Sequence, residues 1–230
     1  KKGIVNAATP TPLTPDAELD RASARRLCRR WTDIGLDGVL VLGTMGEGPY
    51  LTDAVRNDFV EIALAEVGGR LTIYAGAADT SRQRMIERAR RYAKMGAPCV
   101  VVCLPPKMDA PKAINDVKAV ADACPVPCAY YDIPENTGTP LVLHEIPDIL
   151  SHPNIQVFKD SSNSPVLAQG LMNPEHKPDC WLLDGCEYHT VYSQQLGYDG
   201  VLHGGGVLTG KWVRLIWNQT NVGATAEALA

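Results

Sequence analysis

Ile155-Gln156-Val157-Phe158-Lys159-Asp160-Ser161-Ser162 is the stretch on which the reading of the chain turns. It opens as a compact apolar run without strict alternation, the pattern of a parallel strand covered on both faces. It closes on a lysine followed by small polar residues, which puts an amine at the C-terminal mouth of that strand. A lysine just past a strand is ordinarily solvated. One drawn into the mouth loses hydration, its pKa falls, and the neutral amine can attack a ketone and form a Schiff base.

Seven more runs of this kind are spaced along the chain: Ile4–Ala8, Gly38–Leu42, Leu71–Ala75, Cys99–Leu104, Pro127–Tyr131, Trp181–Leu183 and Gly200–His203. Amphipathic stretches separate them, at Asp20–Ile34, Asp53–Val67, Ser81–Met95, Pro111–Ala123 and Tyr188–Leu196, with a last helix at about Leu208–Trp217. Asp53 and Ser81 read as N-caps; Gly35 and Gly96 stand where C-caps belong. Eight strands with intervening helices in 230 residues predict an α/β chain forming a (β/α)8 TIM barrel. A doubly wound open sheet is the runner-up, since alternation alone does not decide closure. No glycine-rich dinucleotide fingerprint follows the first strand, which weakens that variant. With no linker or low-complexity stretch, residues 1–217 read as one barrel domain and 218–230 as a polar, small-residue tail.

At 45% hydrophobic content the chain can bury a large core, and a net charge of −4 gives no basic footprint for nucleic acid. No apolar run approaches the roughly 20 residues that cross a bilayer, and the opening residues do not read as a signal peptide. The seven cysteines contain no Cys-x-x-Cys pair and lie in apolar surroundings, which suits reduced, buried thiols and a cytoplasmic location. The histidines at 144, 152, 176, 189 and 203 lack ligand spacing, so no metal site is read. The arginine-rich stretches Arg25–Arg30 and Arg82–Arg91 read as solvated helix faces.

In such a barrel, chemistry sits where strands end. After the second strand comes Gly43-Thr44-Met45-Gly46-Glu47-Gly48, where glycines let amide N–H groups and the Thr44 hydroxyl converge on an anion. The same residues could simply be a turn into a helix capped by Thr52. After the fifth strand comes Tyr131-Asp132-Ile133-Pro134-Glu135-Asn136-Thr137-Gly138. Its phenol could relay a proton at the mouth, or could only pack.

Taken together, Gly43-Thr44-Met45-Gly46-Glu47, Tyr131-Asp132-Ile133-Pro134 and Lys159-Asp160-Ser161-Ser162 resemble the motifs of the pyruvate-dependent class I aldolases. That superfamily contains dihydrodipicolinate synthase and N-acetylneuraminate lyase. The likeness runs from about Gly3 to Trp217, and Asp184-Gly185-Cys186-Glu187 falls where the family carries a Gly-x-Glu/Asp turn. The resemblance implies that Lys159 forms an imine with a keto carbon and that Tyr131 shuttles protons. It also implies that Thr44, with the N–H groups of Thr44 and Met45, holds the keto-acid carboxylate, and that the strand end near Leu202 lends a carbonyl.

Departures from the pattern bear on substrate. Dihydrodipicolinate synthases carry a second threonine where Met45 stands and a carboxylate-binding arginine where Asn136 stands. A thioether relays no protons, and a neutral amide does not replace a guanidinium fork. The likeness is therefore read as closer to 4-hydroxy-2-oxoglutarate and 2-keto-3-deoxy acid aldolases, with Asn136 at the second-substrate position. Asp132 for the usual asparagine is read as a mild change. Glu47 is read as orienting its own loop, and His203 as a packing residue or a substrate contact.

The function so implied is a Schiff-base lyase or aldolase acting on pyruvate or a pyruvate-derived 2-keto acid, with no cofactor. The alternatives are a 2-keto-3-deoxy sugar-acid dehydratase using the same imine, a dihydrodipicolinate synthase-like condensation, and a keto-acid-binding barrel without turnover. The family's usual C-terminal helices are not matched by the residues after Trp217, so a truncated or absent helical extension is expected. A homodimer or homotetramer is expected as well.

Overall fold

The computed structural model describes residues 3–173 and 178–221. The strands are β1 (Ile4–Ala8), β2 (Gly38–Val41), β3 (Thr72–Gly76), β4 (Cys99–Val102), β5 (Cys128–Asp132), β6 (Ile155–Asp160), β7 (Trp181–Asp184) and β8 (Gly200–His203). They pair in parallel in chain order, and β8 returns to β1 through Ile4↔Gly200, closing the barrel. The open-sheet alternative is thereby excluded. Around them run α1 (Arg21–Asp33), α2 (Asp53–Val67), α3 (Arg82–Met95), α4 (Ala110–Ala123), α5 (Pro134–Thr137), α6 (Ile146–Leu150), α7 (Pro165–Leu171), α8 (Thr190–Leu196) and α9 (Gly206–Asn221).

Helix starts follow side-chain chemistry. Asp20 accepts the Ser23 N–H at 2.9 Å, Ser81 that of Arg84 at 3.4 Å, and Ser164 that of Leu167 at 3.2 Å. For α2 the cap is Thr52, not Asp53; Asp53 lies in the first turn, where its charge faces the helix N-terminus. Gly96 ends α3 with φ 98°, a left-handed turn that a side chain would strain. Gly35 stands one position beyond the α1 cap residue Ile34, with φ 76°.

The strands match the expected runs to within a residue or two. The short helices α5, α6 and α7 were not expected: each has a proline in its first turn and too few residues to show helical periodicity. The last helix continues beyond Trp217 to Asn221, and residues 222–230 of the expected tail lie outside the described residues.

Two layers of core flank the strands. The lumen is filled by one side-chain row from each strand, including Leu40, Tyr74, Val101, Tyr131, Val157 and Leu202. The larger layer lies between strands and helices, where the Tyr130 and Phe158 rings stack at 5.8 Å and Trp31 meets Phe59 edge-on at 6.4 Å. The ends of the barrel are tied together outside it: Arg214 of α9 donates to the Gly3 carbonyl and pairs with Asp37, while Asp37 accepts the Val5 N–H at 2.7 Å.

Candidate active site

Register fixes what meets at the C-terminal mouth. Tyr131 on β5 pairs with Lys159 on β6, which pairs with Leu183 on β7, so the three form one row. Tyr131 and Leu183 belong to the lumen cluster, and Lys159 lies between them with only 4% of its surface exposed. Its Nζ stands 3.8 Å from the centroid of the Tyr131 ring. Burial lowers the amine's pKa to about 7, against the charges of Glu187 and Asp184, which raise it. At neutral pH a substantial share of this amine is uncharged.

Burial also lifts the Tyr131 phenol to about 12, while hydroxyl donation from Ser161 and Thr44 works in the opposite direction. The phenol therefore keeps its proton at neutral pH and is joined to two further hydroxyls. Ser161 is the member of this chain that motif reading did not single out. Its signal was its place two residues after the lysine, where strand alternation brings it back to the same side.

The loop carrying Thr44 is folded under strain. Leu42, fully buried, adopts φ 60°, a conformation costly for a side chain with Cβ. The backbone then packs so tightly that a Cβ on Gly48 or Gly76 would stand 1.9 or 2.4 Å from the Leu42 carbonyl oxygen. Glu47 serves this turn through its backbone, with φ 54° and its N–H on the Thr44 carbonyl at 3.0 Å. Behind the loop, Arg56 of α2 is fully buried and donates to the carbonyls of Gly48 and Gly76 and to the Tyr92 hydroxyl. Sequence periodicity concealed this residue among the polar positions of an amphipathic helix.

Thr44 and Met45 are exposed at the mouth, Met45 to 42%. The Leu202 side chain lies in the lumen, on the same wall as Ala8 and Leu183. Asn136, on α5, lines a cleft of about 120 Å³ that also touches Thr44 and Tyr131. Glu187 accepts the Gly205 N–H across the top of β8, and a Cβ on Gly204 would meet both Glu187 and the Met45 methyl. Gly185 is required by the site's packing: a Cβ there would lie 2.0 Å from Ser161 Oγ and 3.1 Å from Lys159 Cε.

One residue further along the strands, on the opposite face, Asp132, Asp160 and Asp184 form a row of buried carboxylates. Asp160 accepts from Tyr198 at 2.6 Å, and Asp184 from Ser193 at 2.7 Å. Asp132 accepts from Tyr130 at 3.2 Å and leaves Oδ2 unpartnered. Burial, reinforced by the charge of Asp160, pushes the Asp132 carboxyl up to about 7. Replacement of the family's asparagine is therefore more than mild. His203 is fully buried with its Nε2 3.8 Å from Asp184 Oδ2, a packing residue on the side away from the lumen. Arg88 likewise departs from the solvated-face reading: it is 8% exposed and pairs with Asp79 and Asp53.

Among the described residues no group of three or more His, Cys, Asp or Glu side chains is arranged to hold a metal; His176 lies outside them. Cys28, Cys99, Cys124 and Cys128 are buried thiols, and Cys103 and Cys186 are half-buried ones. No helix among the described residues is long and apolar enough to cross a membrane.

The model of the dihydrodipicolinate synthetase family matches residues 1–230. A 4-hydroxy-tetrahydrodipicolinate synthase of Stenotrophomonas maltophilia is 31% identical over 216 residues, covering 93% of this chain and 72% of that protein. One from Mycolicibacterium gilvum is 37% identical over 161 residues, covering 69% of this chain and 53% of its own length. Among solved structures, dihydrodipicolinate synthase DapA-2 of Bacillus anthracis superposes with a TM-score of 0.93 at 20% identity, covering all of this chain and 79% of that one. CdNal of Clostridium difficile, in complex with mannosamine, gives a TM-score of 0.92 at 19% identity over 98% of this chain and 78% of its own. YagE of E. coli K12, in complex with pyruvate, gives 0.90 at 24% identity over 98% and 78%.

Proposed function

The chain belongs to the dihydrodipicolinate synthetase family, and from that premise we propose that it is a class I lyase that makes or cleaves a carbon–carbon bond of a 2-keto acid through an imine at Lys159. The observation that carries the reading is a buried amine, its pKa drawn down to about 7, set 3.8 Å from the ring of a protonated phenol. In this scheme the Lys159 amine adds to the keto carbon of pyruvate, and loss of water gives the imine. The methyl carbon then gives up a proton and becomes a nucleophilic enamine. Its attack on an aldehyde forms the new bond as the C=O π pair moves onto oxygen, the resulting alkoxide takes a proton through the Tyr131 hydroxyl, and water hydrolyses the imine to release a 4-hydroxy-2-keto acid and the free amine. Cleavage is the same path reversed. Thr44 and the loop N–H groups hold the carboxylate, and the Leu202 strand end borders the bound acid.

The test is borohydride reduction in the presence of pyruvate. Intact mass should rise by one reduced pyruvate adduct, mapped to Lys159, and Lys159→Ala should abolish it. A protein that acquires no adduct at saturating pyruvate does not work by this chemistry.

A second reading is favoured by the relatives' names: condensation of pyruvate with the carboxylate-bearing aldehyde used by a 4-hydroxy-tetrahydrodipicolinate synthase. Met45 and Asn136 weigh against it, because neither supplies the hydroxyl relay or the guanidinium that such a synthase carries. Assay of that product separates the two. We further propose that copies associate as homodimers or homotetramers, a reading supported by family membership and by exposed Tyr188, Leu208 and Trp212. Light scattering of the purified chain checks it.

A further inference from the structure

Tyr131, whose ring lies 3.8 Å from the Lys159 amine, also lines the cleft of about 120 Å³, and the character of its walls limits what can enter. Most of its lining residues are apolar, Pro49, Tyr50, Val101, Leu104, Pro106 and Ile133 among them. Among the described residues the lining contains no lysine and no arginine. Its one acid, Asp79, is already committed: although burial alone would raise it, Arg84, the Ser81 N–H and Arg88 hold the carboxyl down to about 2. The other polar side chains of the lining are the Asn136 amide, the Cys103 thiol, the Thr44, Thr80 and Thr137 hydroxyls and the Tyr131 phenol.

We propose that this cleft is the subsite for the second reactant and that it takes an uncharged aldehyde with an apolar substituent, rejecting aldehydes that carry a carboxylate. The inference rests on the Schiff-base reading and names the substrate class for that site. A carboxylate entering here would leave water without gaining a cation, a loss that is large for any buried charge. An apolar group loses nothing and gains contact on several sides. Volume sets the scale: a dry apolar cavity of about 150 Å³ admits benzene, so this cleft suits a branched alkyl group or a small ring. The Tyr50 ring, 85% exposed, stands at the rim, where an aromatic or branched substituent would cover it. On α5 the lining residues are Asn136 and Thr137, both neutral, so that helix brings no charge to the cleft.

The experiment has two independent readouts. Borohydride trapping with pyruvate alone reports whether the imine forms. Condensation rates with pyruvate then compare isobutyraldehyde and benzaldehyde with glyoxylate and succinic semialdehyde, and with the polyhydroxylated glyceraldehyde. The expected result is an adduct, with kcat/KM for the apolar aldehydes at least about tenfold above the carboxylated ones, equivalent to about 1.4 kcal/mol. Asn136→Arg should narrow or invert that ratio. Adduct formation with a preference for glyoxylate, succinic semialdehyde or glyceraldehyde overturns the proposal but spares the Schiff-base reading. So does an Asn136→Arg protein with unaltered selectivity. Failure of trapping itself overturns both.

Discussion

Lys159 carries a cost that its surroundings only partly offset. Unfolded, its amine titrates near 10.5; folded, burial holds it near 7. Between those values the unfolded chain holds a proton that the folded one has released, so stability rises with pH across that window, and the full penalty applies below pH 7. Lys159→Met should therefore raise the melting temperature, more at pH 6 than at pH 10. The same shift governs reactivity: the rate of pyruvate trapping should climb about tenfold per pH unit below 7 and level off above it, as the neutral fraction does. Glu187 raises the amine's pKa, so Glu187→Gln should move that limb to lower pH. A limb that stays near pH 10 in the parent protein would contradict the burial argument.

Arg56 makes a complementary prediction. Its guanidinium is buried with carbonyl and phenol partners, and it bridges the Gly48 and Gly76 carbonyls across the back of the Thr44 loop. Arg56→Met should cost about 3 kcal/mol or more by stranding two buried carbonyls and freeing a strained turn. On the proposed reading, in which the loop binds the acid and Lys159 and Tyr131 do the chemistry, pyruvate KM should rise more than kcat falls. Equal losses in both would place Arg56 elsewhere in the reaction. Residues of this kind were not legible in the chain. Lys159, Tyr131 and Thr44 announce themselves by their motifs at strand ends, and Ser161, Gly185 and Glu187 stand inside quoted motifs without a stated role, whereas Arg56 matters only through neighbours distant in sequence.

At the scale of elements, the strands were readable because each is an apolar run bounded by turn residues, and α1–α4 because their apolar positions recur with helical spacing. The helices α5–α7 escaped because their short spans hold no full period and each contains a proline. Register, too, lay beyond the sequence: nothing in a single strand says that Asp132, Asp160 and Asp184 will align. That alignment yields a test. Asp132 would titrate near 3.8 when unfolded and near 7 when folded, so the folded state holds the extra proton between those values. Its stability contribution is present at low pH and is lost as pH rises toward 7. Asp132→Asn should leave the melting temperature nearly unchanged at pH 4 and raise it by roughly 10 °C at pH 8. An equal shift at both values would show that the carboxyl is not confined as the register implies.

For the molecule as a whole, barrel closure depends on joining the first strand to the last, a pairing between residues almost 200 positions apart. Loop-closure entropy opposes it, and a four-residue strand such as β8 adds few ladder bonds with which to resist. The side chains of α9 supply what the ladder lacks. Trp217 is 1% exposed and packs its indole against Gly3 just ahead of β1; its carbonyl accepts from Gln194 of α8 at 2.8 Å; and Arg214 binds the Gly3 carbonyl and Asp37. The seam between β8 and β1 is thus clamped from outside by one turn of helix. Trp217→Ala should lower unfolding free energy by about 3–5 kcal/mol, as truncation of a buried aromatic does. The denaturation midpoint should fall, with the slope preserved if the barrel still unfolds as one unit. Hydrogen exchange adds the sharper criterion: amides of β1 and β8 should lose protection before those of β4 and β5. Uniform loss around the ring would mean that closure is not the weak seam and that α9 stabilises the barrel only as one more layer of packing.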